Sequence, residues 1–268
     1  MASPALPSMR IDGKVALVTG ASEGIGAACV RALRERGARV ALTARSETNL
    51  RAVASETDLV IPGDLLVPED RRRIVETTVD HFGQIDILVN NAGIGVYAPA
   101  HSAQMPQVRH MFELNFFAPL EMTQLVIPAM RRHGPGGSIV NVGSIAGKVT
   151  LPWFTLYSAS KYALGSLTDG LRMELREAGI HAMTVCPGYV KTEFQAHVLA
   201  GHAPAALARG RQTFAITPEQ CAAAIVRGLQ RNARTVLVPR VAWLFVLAER
   251  LLPRLTDAQL ARIYRGHR

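Results

Sequence analysis

The sequence is poor in the groups that hold metals or cross-link chains. Its three cysteines, Cys29, Cys186 and Cys221, are odd in number and far apart, and no Cys-x-x-Cys occurs. This excludes a disulfide framework and a thiolate metal site, and fits buried apolar residues in a reducing compartment. The eight histidines show no His-x-His or His-Glu-x-x-His spacing, so no protein-bound metal is expected. Apolar runs are short: none approaches the roughly 20 residues that a membrane-spanning helix needs. Residues 1–10 hold two prolines and lack the apolar core of a signal peptide, so they read as a flexible lead-in. A cytoplasmic location is the default expectation.

Acidic charge is also scarce, but unevenly. The formal net charge is +9, and the stretch from Arg227 to Arg268 holds nine arginines against Glu249 and Asp257, so +7 of it lies in the last 42 residues. The rest of the chain is near neutral. Aromatic residues do not alternate with basic ones and no recognition motif appears, so nucleic acid is not expected as a partner. With 268 residues, 49% of them hydrophobic, the chain can bury a substantial core as one α/β domain.

What is present begins with Lys14–Thr19, a short apolar, β-branched run of the kind a strand buried on both faces shows. Gly20 ends it, and a segment from Ile25 to Arg36 has apolar residues at helical spacing until Gly37 stops it. Strand, glycine-rich turn and helix in succession make a phosphate site: the glycines of Thr19-Gly20-Ala21-Ser22-Glu23-Gly24-Ile25-Gly26 let the backbone approach an anion. Amides at the helix start then face that anion. Further strands are expected over 39–45, 59–62, 85–90, 138–142, 180–186 and 235–238. Helices are expected over about 69–82, from 104 to 132 with breaks near Pro119 and Pro128, through Tyr157 and Lys161 to about Glu177, and from Thr217 to about Asn232. Thr217-Pro218-Glu219-Gln220 carries the residues of a capping box.

Tyr157 and Lys161 stand four positions apart, hence on one helix face. A nearby ammonium favours phenolate and is expected to lower the tyrosine pKa toward a useful range. Together with the glycine motif, Asn90-Asn91-Ala92-Gly93 after a strand, and Gly143-Ser144 before the tyrosine, this pair resembles the short-chain dehydrogenase/reductase family over roughly residues 11–239. The resemblance implies a single-domain, Rossmann-type α/β fold, a doubly wound parallel sheet flanked by helices, spanning 11–240. It implies catalytic roles for Asn115, Ser144, Tyr157 and Lys161, with Asn115 holding a water of a proton relay. It implies a dinucleotide held by Gly20, Ser22, Glu23, Gly24, Ile25, Gly26, Asp64, Asn91, Ala92, Gly93, Pro187, Gly188, Val190 and Thr192, besides Tyr157 and Lys161. Asp64 would contact the adenine, or alternatively cap the next helix. Asn91 would hold strand ends, Gly93 would leave room for the ribose, and Val190 and Thr192 would border the nicotinamide carboxamide. A mobile substrate lid is expected at about 189–213, and a homodimer or homotetramer is expected as the assembly.

The end of the second strand bears on the cofactor. An acid there would bind a ribose 2′-OH, but Ala44 occupies that place and Arg45 follows. NADP(H) is therefore expected in preference to NAD(H), with Ser22 and Arg45 on the 2′-phosphate; Glu23 dissents unless it points away. The expected activity is NADPH-dependent reduction of a carbonyl on a lipophilic small molecule, or oxidation of the matching secondary alcohol. A non-catalytic nucleotide-binding scaffold and an epimerase or dehydratase are the alternatives. Residues 241–268 form a basic C-terminal extension of the same domain. Its segment Val241–Leu252, apolar nearly all round and flanked by Arg240 and Arg254, leaves open burial in the core or an interface, a wall of the substrate pocket, or a peripheral membrane contact through 241–254.

Overall fold

The computed structural model describes residues 8–200, apart from 133 and 135, and residues 215–264. Its frame is a parallel sheet of seven strands: β1 (Val15–Thr19), β2 (Arg39–Ala44), β3 (Leu59–Pro62), β4 (Ile87–Asn90), β5 (Gly137–Val142), β6 (Ile180–Pro187) and β7 (Thr235–Val238). They run in the order β3-β2-β1-β4-β5-β6-β7. The chain therefore builds outward from β1 in one direction, returns, and builds outward from β4 in the other. Between β1 and β4 the connections on the two sides diverge, and a crevice opens above the carboxyl ends of the strands.

Both faces of the sheet are covered, as the continuous apolar runs in the strands require. Helices α1 (Gly24–Arg34) and α2 (Glu47–Val53) pack on one face, together with α7 (Pro218–Gln230). Ala16, Val18, Val40, Leu42 and Val140 point to that side, against Leu33, Leu50 and Ile225. The alternate residues Leu17, Ala41, Leu88 and Ile139 point to the other, onto α3 (Pro68–Phe82), α5 (Ala118–Arg131) and α6 (Thr155–Glu174). Each large aliphatic side chain so buried contributes about 1.5–3 kcal/mol. The capping box at Thr217 forms: Thr217 Oγ1 accepts from Gln220 N at 3.2 Å and Gln220 Oε1 from Thr217 N at 2.9 Å.

Several expectations are corrected. Neither Pro119 nor Pro128 breaks a helix. Pro119 lies in the first turn of α5, where its missing N–H is not needed, and Pro128 is accommodated inside the helix. The interruption falls earlier: α4 (Met105–Phe112) passes into a π-helical turn, Glu113–Phe117, before α5 begins. Buried Arg71 clamps that turn to α3, pairing with Glu113 and Glu121 and donating to Leu65 O at 2.5 Å. The tyrosine helix ends at Glu174, not Glu177. In the lead-in, Met9 packs on the core; residues 1–7 lie outside those described. So does the expected lid beyond residue 200. The part that is described folds as a turn of 3₁₀-helix, Glu193–His197, followed by an extended stretch bonded to the loop after β4, with Leu199 N donating to Gly95 O and Tyr97 N to Ala200 O, both at 2.9 Å.

The C-terminal extension forms two helices, α8 (Ala242–Leu251) and α9 (Pro253–Tyr264). The core-burial reading does not describe α8: Val246 is its single buried residue, inserted with Leu260 of α9 into a small cluster with Val149, Cys186 and Leu237.

Candidate active site

A cleft of 1580 Å³ follows the crevice above β1 and β4. At one end lies the turn between β1 and α1, where Gly20 and Gly24 take φ values of +60° and +53°, a backbone region that side-chain-bearing residues rarely enter. Gly26 does not line the cleft. A Cβ there would sit 2.1 Å from Gly20 O, so its role is the close approach of α1 to the end of β1. Asn91 closes the same corner from β4: its Nδ2 donates to Thr19 O and Gly20 O, both at 3.0 Å, and its backbone N–H donates to Thr19 Oγ1 at 3.0 Å. The result is a backbone cradle at a helix N-terminus with no acidic residue in the first turn of α1. That arrangement fits the pyrophosphate of a dinucleotide.

Ser22, Glu23, Ile25, Arg45, Asp64, Ala92, Gly93, Pro187, Gly188, Val190 and Thr192 all border the cleft. Arg45 stands exposed on its rim at the end of β2. Glu23 turns toward the 3₁₀ turn, where its carboxylate pairs with His197 Nε2 at 2.7 Å. Asp64 is not a helix cap: α3 begins after Val67 with no side-chain cap, and Asp64 Oδ1 accepts from Leu66 N at 3.0 Å, shaping its own loop.

At the other end, Ser144 leaves β5 and Tyr157 and Lys161 leave the first turns of α6, all facing one point of the cleft. Ser144 Oγ accepts from Ala146 N at 3.1 Å and is hydrogen-bonded to the Tyr157 phenol. Lys161 Nζ donates to Val142 O at 3.0 Å and lies 5.7 Å from the centroid of the Tyr157 ring. Burial pushes the Tyr157 phenol well above its ordinary value, outweighing the Ser144 hydrogen bond. Burial pulls Lys161 the other way, from 10.5 down to about 8. The expected lowering of Tyr157 is therefore not found. Both groups have lost water, and desolvation disfavours whichever form is charged.

Asn115 sits behind this group, fully buried in the π-helical turn. Its Oδ1 accepts from Ile94 N at 2.9 Å, and its Nδ2 donates to Ile94 O at 2.9 Å and to Ser160 Oγ at 3.1 Å. Ser160 in turn donates to Tyr157 O at 2.7 Å. A chain of hydrogen bonds thus runs from the loop after β4 to the backbone of the tyrosine. Gly93 touches this chain: a Cβ on it would lie 3.1 Å from Asn115 Oδ1 and 3.3 Å from Lys161 Nζ. The room it leaves serves protein groups as well as any ligand.

Sequence reasoning missed Ser160, and it missed a column of rings. Tyr97, Phe154 and Tyr157 stack with centroids 4.2 and 4.1 Å apart, and Phe194 closes on Tyr157 at 5.8 Å. These rings come from three separate segments, so no local spacing announces them. Ser160 lies between Tyr157 and Lys161, and its position three residues after Tyr157 was the available signal. Among the described residues no group of three or more His, Cys, Asp or Glu could hold a metal ion.

Sheet order, reversal point and phosphate cradle define a Rossmann-type nucleotide-binding protein. Residues 14–202 match the short chain dehydrogenase family, and the chain belongs to it. The ketoacyl reductase HetN of Nostoc is 31% identical over 270 residues, spanning 95% of this chain and 89% of its own length. The 11-beta-hydroxysteroid dehydrogenase 1A of Arabidopsis thaliana is 32% identical over 265 residues, spanning 93% of this chain and 75% of its own. A short chain dehydrogenase from Burkholderia cenocepacia, solved in complex with NADP, superimposes with a TM-score of 0.79 at 30% identity, covering 94% of this chain and 99% of that one.

Proposed function

We propose that the protein is an NADPH-dependent carbonyl reductase, or the matching secondary-alcohol dehydrogenase, acting on a lipophilic small molecule. The observation that carries this reading is the group formed by buried Tyr157 and Lys161 with half-buried Ser144, opening onto a cleft whose far wall is apolar. When bound, a nicotinamide dinucleotide supplies the hydride in reduction and accepts it in oxidation. Gly20, Ser22, Gly24, Ile25, Asn91 and Ala92 would hold its phosphates and neighbouring ribose. Asp64 would face its adenine, and Pro187, Gly188, Val190 and Thr192 its nicotinamide end.

The protein's own groups manage the proton. Tyr157, kept neutral by burial, donates its phenolic proton to the substrate oxygen in reduction and takes one back in oxidation. Ser144 donates a hydrogen bond to the same oxygen as charge grows on it. In reduction Lys161 stabilises the phenolate left behind, and a proton moving inward from the Asn115 corner past Lys161 restores the phenol; in oxidation the proton leaves by the same route. Asn115, whose amide is committed to Ile94 and Ser160, fixes the positions along which that proton moves.

Arg45 on the rim supports recognition of a 2′-phosphate. The dissent of Glu23 is met by His197, which engages its carboxylate; solved relatives hold NADP, NAD or NADH, so the preference rests on Arg45. For the substrate, Leu244, Phe245, Leu252 and Leu255 add an apolar wall to the cleft. Two relatives have names that speak of a ketoacyl and a hydroxysteroid, both largely hydrocarbon. Replacing Tyr157 with Phe tests the assignment: turnover of a lipophilic ketone is expected to vanish while NADPH binding, followed by nicotinamide fluorescence, stays within about twofold, since the lost hydroxyl serves the substrate rather than the phosphates. Retained turnover refutes it.

A further inference from the structure

Among the described residues thirteen large hydrophobic side chains are exposed, and eight of them fall within residues 241–255, so the apolar surface described is concentrated on one small hairpin. At about 100° per residue, the side chains of α8 divide into three sectors. Val246 faces the body, buried. Val241, Leu244, Phe245, Ala248 and Leu252 face the cleft and form part of its lining. Trp243, Leu247 and Leu251 do not line it and face outward, exposed. The cleft-facing and outward sectors join into one apolar arc of about 200°. Glu249 turns inward, accepting from Thr256 Oγ1 at 2.5 Å.

Arg240 before α8, Arg250 in its last turn, and Arg254 and Arg262 on α9 are all exposed, and none forms an ion pair with a described residue. No described helix is long and apolar enough to cross a membrane. An apolar arc of this width with a fringe of uncompensated guanidinium groups is complementary to the boundary of an anionic bilayer, which offers acyl chains below and phosphates above.

We propose that the α8–α9 hairpin lies on anionic phospholipid, with Trp243, Leu247 and Leu251 below the headgroups, and so presents the apolar mouth of the cleft to the membrane. A lipophilic substrate then passes from acyl chains to Tyr157 along Leu244, Phe245 and Leu252 without crossing water. The purpose of the contact rests on the lipophilic-substrate reading, but its geometry does not.

The test is co-sedimentation of the full chain with phosphatidylcholine vesicles and with vesicles that also contain phosphatidylglycerol. The wild type is compared with a triple variant (Trp243→Ser, Leu247→Ser, Leu251→Ser) and a charge variant (Arg250→Glu, Arg254→Glu). The wild type is expected to sediment with the anionic vesicles and to be released by salt, and each variant to lose at least about tenfold in partition. An unchanged thermal midpoint shows that the variants are folded. Failure of the wild type to sediment, a triple variant that partitions like the wild type, or equal binding to both vesicle types overturns the proposal. It is also overturned if the wild type binds no vesicles and the triple variant alone is converted from dimer to monomer in sedimentation velocity, because a second copy then covers the face. Partition is read without turnover, so its loss and a failure of carbonyl reduction are separate results.

Discussion

Lys161 allows a prediction that runs against intuition: removing a residue of the candidate active site should stabilise the protein. The residue is 4% exposed, and burial moves its pKa from 10.5 to about 8. Holding the charged form in that site therefore costs about 3 kcal/mol at neutral pH, at about 1.4 kcal/mol per tenfold change in proton affinity. Lys161→Met removes the charge and keeps much of the volume. It also takes away the donor to Val142 O, and an unpaired buried carbonyl costs about 1–3 kcal/mol. The net change at pH 7 is a gain of up to about 2 kcal/mol. The pH dependence separates these terms. Below pH 8 both folded and unfolded chains carry the proton, and the full cost is present. Between pH 8 and 10.5 the unfolded chain binds the proton and the folded one does not, so wild-type stability rises relative to the variant. Tyr157 titrates above that window, because its pKa is raised. Urea denaturation of both proteins from pH 6.5 to 9.5 measures the difference, which should narrow steadily above pH 8, while turnover by the variant is lost. A stability difference that does not change with pH refutes the claim that a charged lysine is held in this site at a cost.

Asn115→Ala is expected to leave Ile94 N–H and its carbonyl without partners and to lower stability by about 2 kcal/mol or more, seen as a fall of about 4 °C or more in the thermal midpoint. It should also reduce kcat more than NADPH affinity, because the chain it breaks leads to Tyr157 and not to the phosphate cradle. An unaltered midpoint would mean that these buried groups find other partners. For Arg45→Ala, NADPH affinity should drop about tenfold, or 1.4 kcal/mol, with NADH affinity unchanged. Equal losses for both dinucleotides would remove Arg45 from 2′-phosphate recognition.

The frame was legible in the sequence wherever the physics is local. Continuous apolar runs such as Ala16–Val18 and Ile87–Val89 can only be strands covered on both faces. Gly20, Gly24 and Gly26 announced a tight turn, and Thr217 with Gln220 announced a cap that then formed. Non-local balances were less accessible. The spacing of Tyr157 and Lys161 suggested one charge acting on one phenol, but their pKa values answer to burial by Phe154, Phe194, Tyr97 and the end of β6, which no spacing reveals. The π-helical turn lies at Glu113–Phe117, where Arg71 from a distant helix pairs with Glu113, so proline positions misled about where the helix is interrupted. For α8, an apolar sequence alone could not separate a buried helix from one that leaves two of its three sectors open.

The attachment of the α8–α9 hairpin has a further consequence. The groups placed at the chemical end of the cleft hang from β4, β5 and α6, inside the main core, whereas the hairpin that walls its far side is secured to the body by the small cluster around Val246 and Leu260. On the proposed reading, proton transfer depends on groups set in the main core, and the fit of the substrate depends in part on the hairpin. Exchanging or resculpting the last 28 residues, with Val246 and Leu260 retained as anchors, should alter which molecules fit while leaving proton transfer intact. In this sense the hairpin is an interchangeable fitting on a fixed machine.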